Sequence, residues 1–170
     1  MKRTLLLLAC GLLAFASCKK SNIDPFRGDY SFKTSGNVTV QRQATILDTV
    51  PPAVFTVSVP NDLGQLEIST LDKENDSVVV IMNILNDEVI VAHGCCKDDE
   101  LVMQDFKRNA LYLNVDYEFN LRAPVNIKAK GRLYDDNTLV FEMTYHGTAT
   151  VGDLIYNIHG DDIKMVAYRN

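Results

Sequence analysis

The sequence predicts an all-β domain, an antiparallel up-and-down meander closed into a barrel of about eight to ten strands. Three observations carry this expectation. Long stretches alternate apolar and polar residues, turn-forming clusters fall between them at hairpin spacing, and no long helical pattern interrupts the series. A two-residue period sends successive side chains to opposite faces of a sheet. Here one face is apolar and the other wet, as in antiparallel sheets; the strands of a parallel α/β sheet would be apolar on both faces.

The chain opens with Met1-Lys2-Arg3, followed by an uncharged apolar run over residues 4–16 and the small pair Ala16-Ser17 before Cys18. This is the three-part layout of a secretory signal. The run stops at Lys19-Lys20, short of the ~20 apolar residues that a membrane-spanning helix needs. Residues 1–17 are therefore expected to be a signal peptide, residues 18–24 an anchored cysteine with a short polar tether, and residues 25–170 one β-barrel domain.

Within that domain Phe55, Val57 and Val59, then Leu66 and Ile68, give short alternating runs. Longer ones follow at Leu111, Leu113, Val115, Tyr117 and Phe119, at Val125, Ile127, Ala129, Gly131 and Leu133, and at Leu139, Phe141, Met143 and Tyr145. Ile163, Met165 and Ala167 close the series. Turns are expected at Asn61–Gly64, Asp72–Asp76, Asn86-Asp87, Lys97–Glu100, Lys107-Arg108-Asn109, Asp135-Asp136-Asn137, Gly152-Asp153 and Gly160-Asp161-Asp162. Residues 34–52 contain Gly36 and Pro51-Pro52, which fits one strand followed by a long loop.

Loss of residues 1–17 leaves 15 Lys and Arg against 22 Asp and Glu, a net charge of −7. Nucleic acid is bound by neutralising phosphates with clustered basic residues, so it is not an expected partner. Of the four cysteines only Cys95 and Cys96 lie inside the domain, and as neighbours they cannot staple distant segments together. Stability must come from the apolar core.

The segment Phe15-Ala16-Ser17-Cys18 resembles the lipobox of bacterial lipoproteins, with Phe15 in place of the usual aliphatic residue. Cys18-Lys19-Lys20 is similar to the mature start of many Bacteroidetes lipoproteins. Phe26-Arg27-Gly28-Asp29-Tyr30, Gly64–Ser69 and the run from Gly131 to Phe141 resemble lipocalin-like, or calycin-like, lipoproteins of that phylum. Tyr30 stands where true lipocalins carry tryptophan, and this chain has no Trp. The resemblance implies acylation of Cys18, a calycin-like barrel without an assigned activity, and a place in the cell envelope. Lysines rather than acidic residues after Cys18 point to the periplasmic side of the outer membrane, with the cell surface as the alternative.

Two tripeptides, Asp48-Thr49-Val50 and Asp76-Ser77-Val78, resemble the O-glycosylation signal of exported Bacteroidetes proteins, making Thr49 and Ser77 candidate acceptors. His93, Cys95 and Cys96, with the acidic run Asp98-Asp99-Glu100, offer metal-ligand and nucleophile chemistry in one segment. Adjacent cysteines are difficult to aim at one tetrahedral centre, and no second ligand pair of matching spacing follows, so neither a metal site nor a cofactor is expected. His146 and His159 each precede a glycine near a turn and read as solvated polar residues. The chain has no G-x-S-x-G, no H-E-x-x-H and no glycine loop for phosphate. The expected function is a non-enzymatic binding module, anchored to the membrane by lipid, for a small apolar ligand, a glycan or an envelope protein. The alternatives are a hydrolase or redox enzyme using His93 and Cys95, and a structural or inhibitor-like module with a filled barrel.

Overall fold

The computed structural model describes residues 23–72, 76–97, 99–116 and 119–170. Within them lie eleven strands and no helix: β1 Gly28–Ser35, β2 Asn37–Arg42, β3 Val54–Ser58, β4 Leu63–Asp72, β5 Ser77–Ile84, β6 Val89–Lys97, β7 Glu100–Met103, β8 Phe106–Asp116, β9 Phe119–Leu133, β10 Thr138–Val151 and β11 Leu154–Arg169. Eight of them, in the order β1-β4-β5-β6-β7-β9-β10-β11, form an antiparallel barrel that β11 closes by pairing with β1. The chain leaves the barrel twice, and β2, β3 and β8 lie outside it. Residues 34–52 hold one strand beyond the end of β1 and then a loop, as their glycine and prolines predict.

β9, β10 and β11 have 15, 14 and 16 residues. At ~3.3 Å per residue β11 runs about 50 Å, far longer than the barrel needs. The lower halves of these strands belong to the barrel; their upper halves continue as a sheet in which β8 pairs β9 and β2 pairs β11. The outermost strands of this upper sheet, β3 and β8, lie against each other without a hydrogen-bonded ladder.

The waist between the halves is marked on both sides. Gly36, at φ +137°, carries the chain from β1 to β2, and a Cβ there would lie 2.6 Å from the Asp162 carbonyl oxygen. Opposite it β11 bulges: Met143 pairs Ile163 but Tyr145 pairs Gly160, so β11 holds one extra residue. The cluster Gly160-Asp161-Asp162, expected as a turn, is this bulge inside a strand. Lys107-Arg108-Asn109 is likewise inside β8, where the register shifts between Arg108 and Leu111. In both places a short polar cluster imitates a turn, while the flanking ladders hold the backbone extended.

Inward residues of all eight barrel strands fill the interior, with Tyr30, Leu66, Leu101, Leu139, Phe141 and Ile163 almost wholly shielded from solvent. Val38, Leu111, Leu113, Leu121 and Ile158 form the continuing core of the upper half. Large and small residues alternate across strands: Phe32 faces Gly64 and Phe141 faces Gly131. The void at the top of the barrel core, between Phe32, Phe106, Met143 and Met165, measures about 20 Å³. That is room for roughly one water.

Both barrel ends are closed. At the lower end the Tyr30 hydroxyl donates to the Phe26 carbonyl at 2.8 Å. Arg169 donates to the Tyr30 oxygen at 2.7 Å and to the Pro25 carbonyl at 2.5 Å. Ile23 is fully buried.

A Cβ on Gly131 would meet the Phe141 ring at 2.7 Å. Gly131→Ala is expected to cost about 1–3 kcal/mol through overpacking. The check is a lower thermal midpoint with an unchanged β circular-dichroism spectrum.

Candidate functional site

The upper end of the barrel is closed by Arg108, a guanidinium only 3 % exposed. It is carried by β8 and met by carboxylates from two other connections. Nη1 and Nη2 donate to Asp62, between β3 and β4, at 2.5 and 3.2 Å. Nη2 also donates to Asp87, in the β5–β6 turn, at 2.6 Å. Glu88 stands 3.6 Å from Nε, too far for a hydrogen bond, and Nε is buried without a partner. Burial opposes the charge, but the hydrogen bond and charge of Asp62 and the hydrogen bond of Asp87 outweigh it and raise the Arg108 pKa. Tyr145 beneath is pushed up to about 12, first by burial. Its phenol stays protonated near neutral pH.

His93 and Cys95 occupy alternate positions on β6 and both face outward. Among the described residues no hydrogen bond or ion pair gives the Cys95 thiol a base. Cys96 points the opposite way into the core, and burial, Asp76 and Cys95 raise its pKa to about 11. Both thiols are free, as expected of neighbours on opposite faces of a strand. Cys18 lies outside the described residues.

The two candidate glycosylation positions differ. Thr49 is exposed in the loop of residues 43–53, whereas Ser77 is half-buried at the first position of β5, paired with Cys95. The loop is held in shape by Asp48, whose carboxylate accepts from Arg42 at 2.5 and 3.1 Å and from the Thr45 amide at 2.5 Å. These bonds, Arg42 first, lower the Asp48 pKa to about 2. The same loop exposes Ile46, Leu47 and Val50. Beside it, at the upper end, Val54, Phe55, Val151, Leu154 and Ile155 are also exposed. Gln43 donates to the Ile155 carbonyl at 2.7 Å and so joins loop and hairpin.

The grouping that sequence reasoning missed is His146 with His159. They are direct cross-strand partners on β10 and β11, both facing out. Their Nδ1 atoms are 3.0 Å apart, and the rings are 4.5 Å apart between centroids with a 48° tilt. The β11 bulge turns Asp161 to the same side, where its carboxylate lies 2.7 Å from His159 Nε2. The signal was available in the sequence. If Gly152-Asp153 is a two-residue hairpin turn, counting outward from it pairs position 146 with position 159.

No protein-family model matches the chain, and no curated protein matches it.

Arg108→Met should destabilise the domain by about 3–5 kcal/mol, because it strands partly buried carboxylates. Lys128→Met, which removes an exposed pair with Asp105 at 3.9 Å, should change stability by less than ~1 kcal/mol. Urea unfolding of the two variants gives the comparison. Alkylation of the native protein at neutral pH should mark Cys95 and spare Cys96 until urea is added, as read by tandem mass spectrometry.

Proposed function

We propose that the chain is an envelope lipoprotein, anchored through Cys18 at the periplasmic side of the outer membrane, that acts as a non-catalytic module for binding a partner protein. The observation that carries the reading is the pairing of a filled barrel with an apolar upper rim. A lipocalin-like calyx that carries a ligand needs an interior of several hundred Å³. Here the space beneath Arg108 is about 20 Å³. This argues against an apolar ligand held inside the barrel.

The rim residues Ile46, Leu47, Val50, Val54 and Leu154 are each at least 40 % exposed. They sit at the end of the strands opposite Ile23, so a domain tethered by its amino terminus would hold them away from its own membrane. The Arg42–Asp48 pair pre-shapes the loop, which reduces the ordering entropy lost on binding. A contact of this kind buries apolar anchors at its centre. His93 and Cys95 lack a positioned base among the described residues, and the enzymatic alternative gains nothing from the geometry.

The test is site-specific photocrosslinking in the native envelope from Leu47, Leu154 and, as a control at the lower end, Tyr134. The expected result is one shared protein adduct from Leu47 and Leu154, absent from Tyr134, and lost from Leu154 when Leu47→Asp is added. Equal adducts from all three positions would overturn the reading. So would stoichiometric retention of a lipid, haem or sugar in native mass spectrometry.

A further inference from the structure

We propose that His146 and His159, oriented by Asp161, form a surface site for a single divalent transition-metal ion, of the class of Zn²⁺, Cu²⁺ or Ni²⁺. The inference rests on the convergence of two imidazole nitrogens. Two nitrogens bound to one metal at ~2.0–2.1 Å lie about 2.9 Å apart at a right angle and about 3.3 Å apart in a tetrahedron. The Nδ1 atoms of His146 and His159 are 3.0 Å apart, within that interval. Imidazole suits Zn²⁺, Cu²⁺ and Ni²⁺ and not the hard cations, which take oxygen ligands.

Asp161 supplies the second element. Its carboxylate accepts the hydrogen of His159 Nε2 at 2.7 Å, which leaves His159 Nδ1 with a lone pair directed at His146. A carboxylate behind a histidine in this way fixes the tautomer and the ring orientation of a metal ligand. In the metal-free protein the hydrogen between the two Nδ1 atoms then sits on His146. A metal ion takes its place as His146 shifts its hydrogen to Nε2, so that each neutral imidazole forms one N–metal bond and no net proton is released.

The backbone accounts for the placement. His146 and His159 are paired by register on the outer face of β10 and β11, two of the three strands that span both halves. The extra residue in β11 places both Asp161 and Asp162 on the outer face, where a regular strand would send one of them inward. Bulges of this kind re-aim side chains at sites. His146 and His159 line a groove of about 520 Å³ together with Lys107, Asn126, Thr148 and Asn157, wide enough for water or a further ligand.

The experiment uses the tag-free full chain and the metal ions alone. Calorimetric titration with Zn²⁺, and Cu²⁺ titration followed by electron paramagnetic resonance, should give one equivalent and hyperfine coupling to two imidazole nitrogens. His146→Ala and His159→Ala should each lose that signal while keeping the metal-free thermal midpoint. Asp161→Asn should weaken binding about 10–100-fold while retaining the two-nitrogen spectrum, a change that a purely structural role would not produce. Failure of the wild-type chain to bind at micromolar metal would overturn the proposal. One equivalent retained in the double variant His146→Ala/His159→Ala would also overturn it and would move the metal to the thiols.

Discussion

The architecture turns on one buried guanidinium. Arg108 is placed where the barrel ends and the upper sheet begins, and an arginine at 3 % exposure is tolerable only if carboxylates reach it. Asp62 and Asp87 come from connections far apart in sequence, so satisfying the charge draws two loops and β8 together over the barrel mouth. Arg169 does the corresponding work below, laid 5.3 Å from the Tyr30 ring centre. With an arginine over each end, the barrel becomes a packed core rather than a vessel.

This arrangement moves the chemistry outward. The interior groups that titrate are held in their neutral forms near neutrality, Tyr145 by burial and Cys96 by burial with Asp76 nearby. The outer surface of β10 and β11 and the apolar upper rim are two places where side chains converge without being consumed by packing. Both depend on the same departure from a simple meander, since the bulge that re-aims Asp161 also lies where Gly36 lets β2 peel away from β1.

Much of the fold was legible in the sequence because the barrel wall obeys a strict two-residue rhythm. Leu139, Phe141, Met143 and Tyr145 alternate on paper and are all buried in the structure. The polar clusters were less legible. Lys107-Arg108-Asn109 and Gly160-Asp161-Asp162 carry turn-forming residues, yet each is held in a strand by its neighbours' ladders. Burial of Arg108 depends on carboxylates 46 and 21 residues away, which no local window contains. The histidine pair depends on register, which alternation leaves open and a hairpin turn fixes. The division into a barrel and an upper sheet was hard to see in the pattern, because β9 exchanges β8 for β7 halfway along with its alternation unbroken.

The length of β9, β10 and β11 has a mechanical consequence. A pull applied between the amino-terminal end and the rim would act nearly along the axes of these three strands. The interstrand hydrogen bonds would then be strained together in shear rather than parted one at a time from an end. Such a ladder yields at high force and behaves as a stiff strut, so a load taken up at the rim would reach the amino-terminal end of the barrel with little stretch in between.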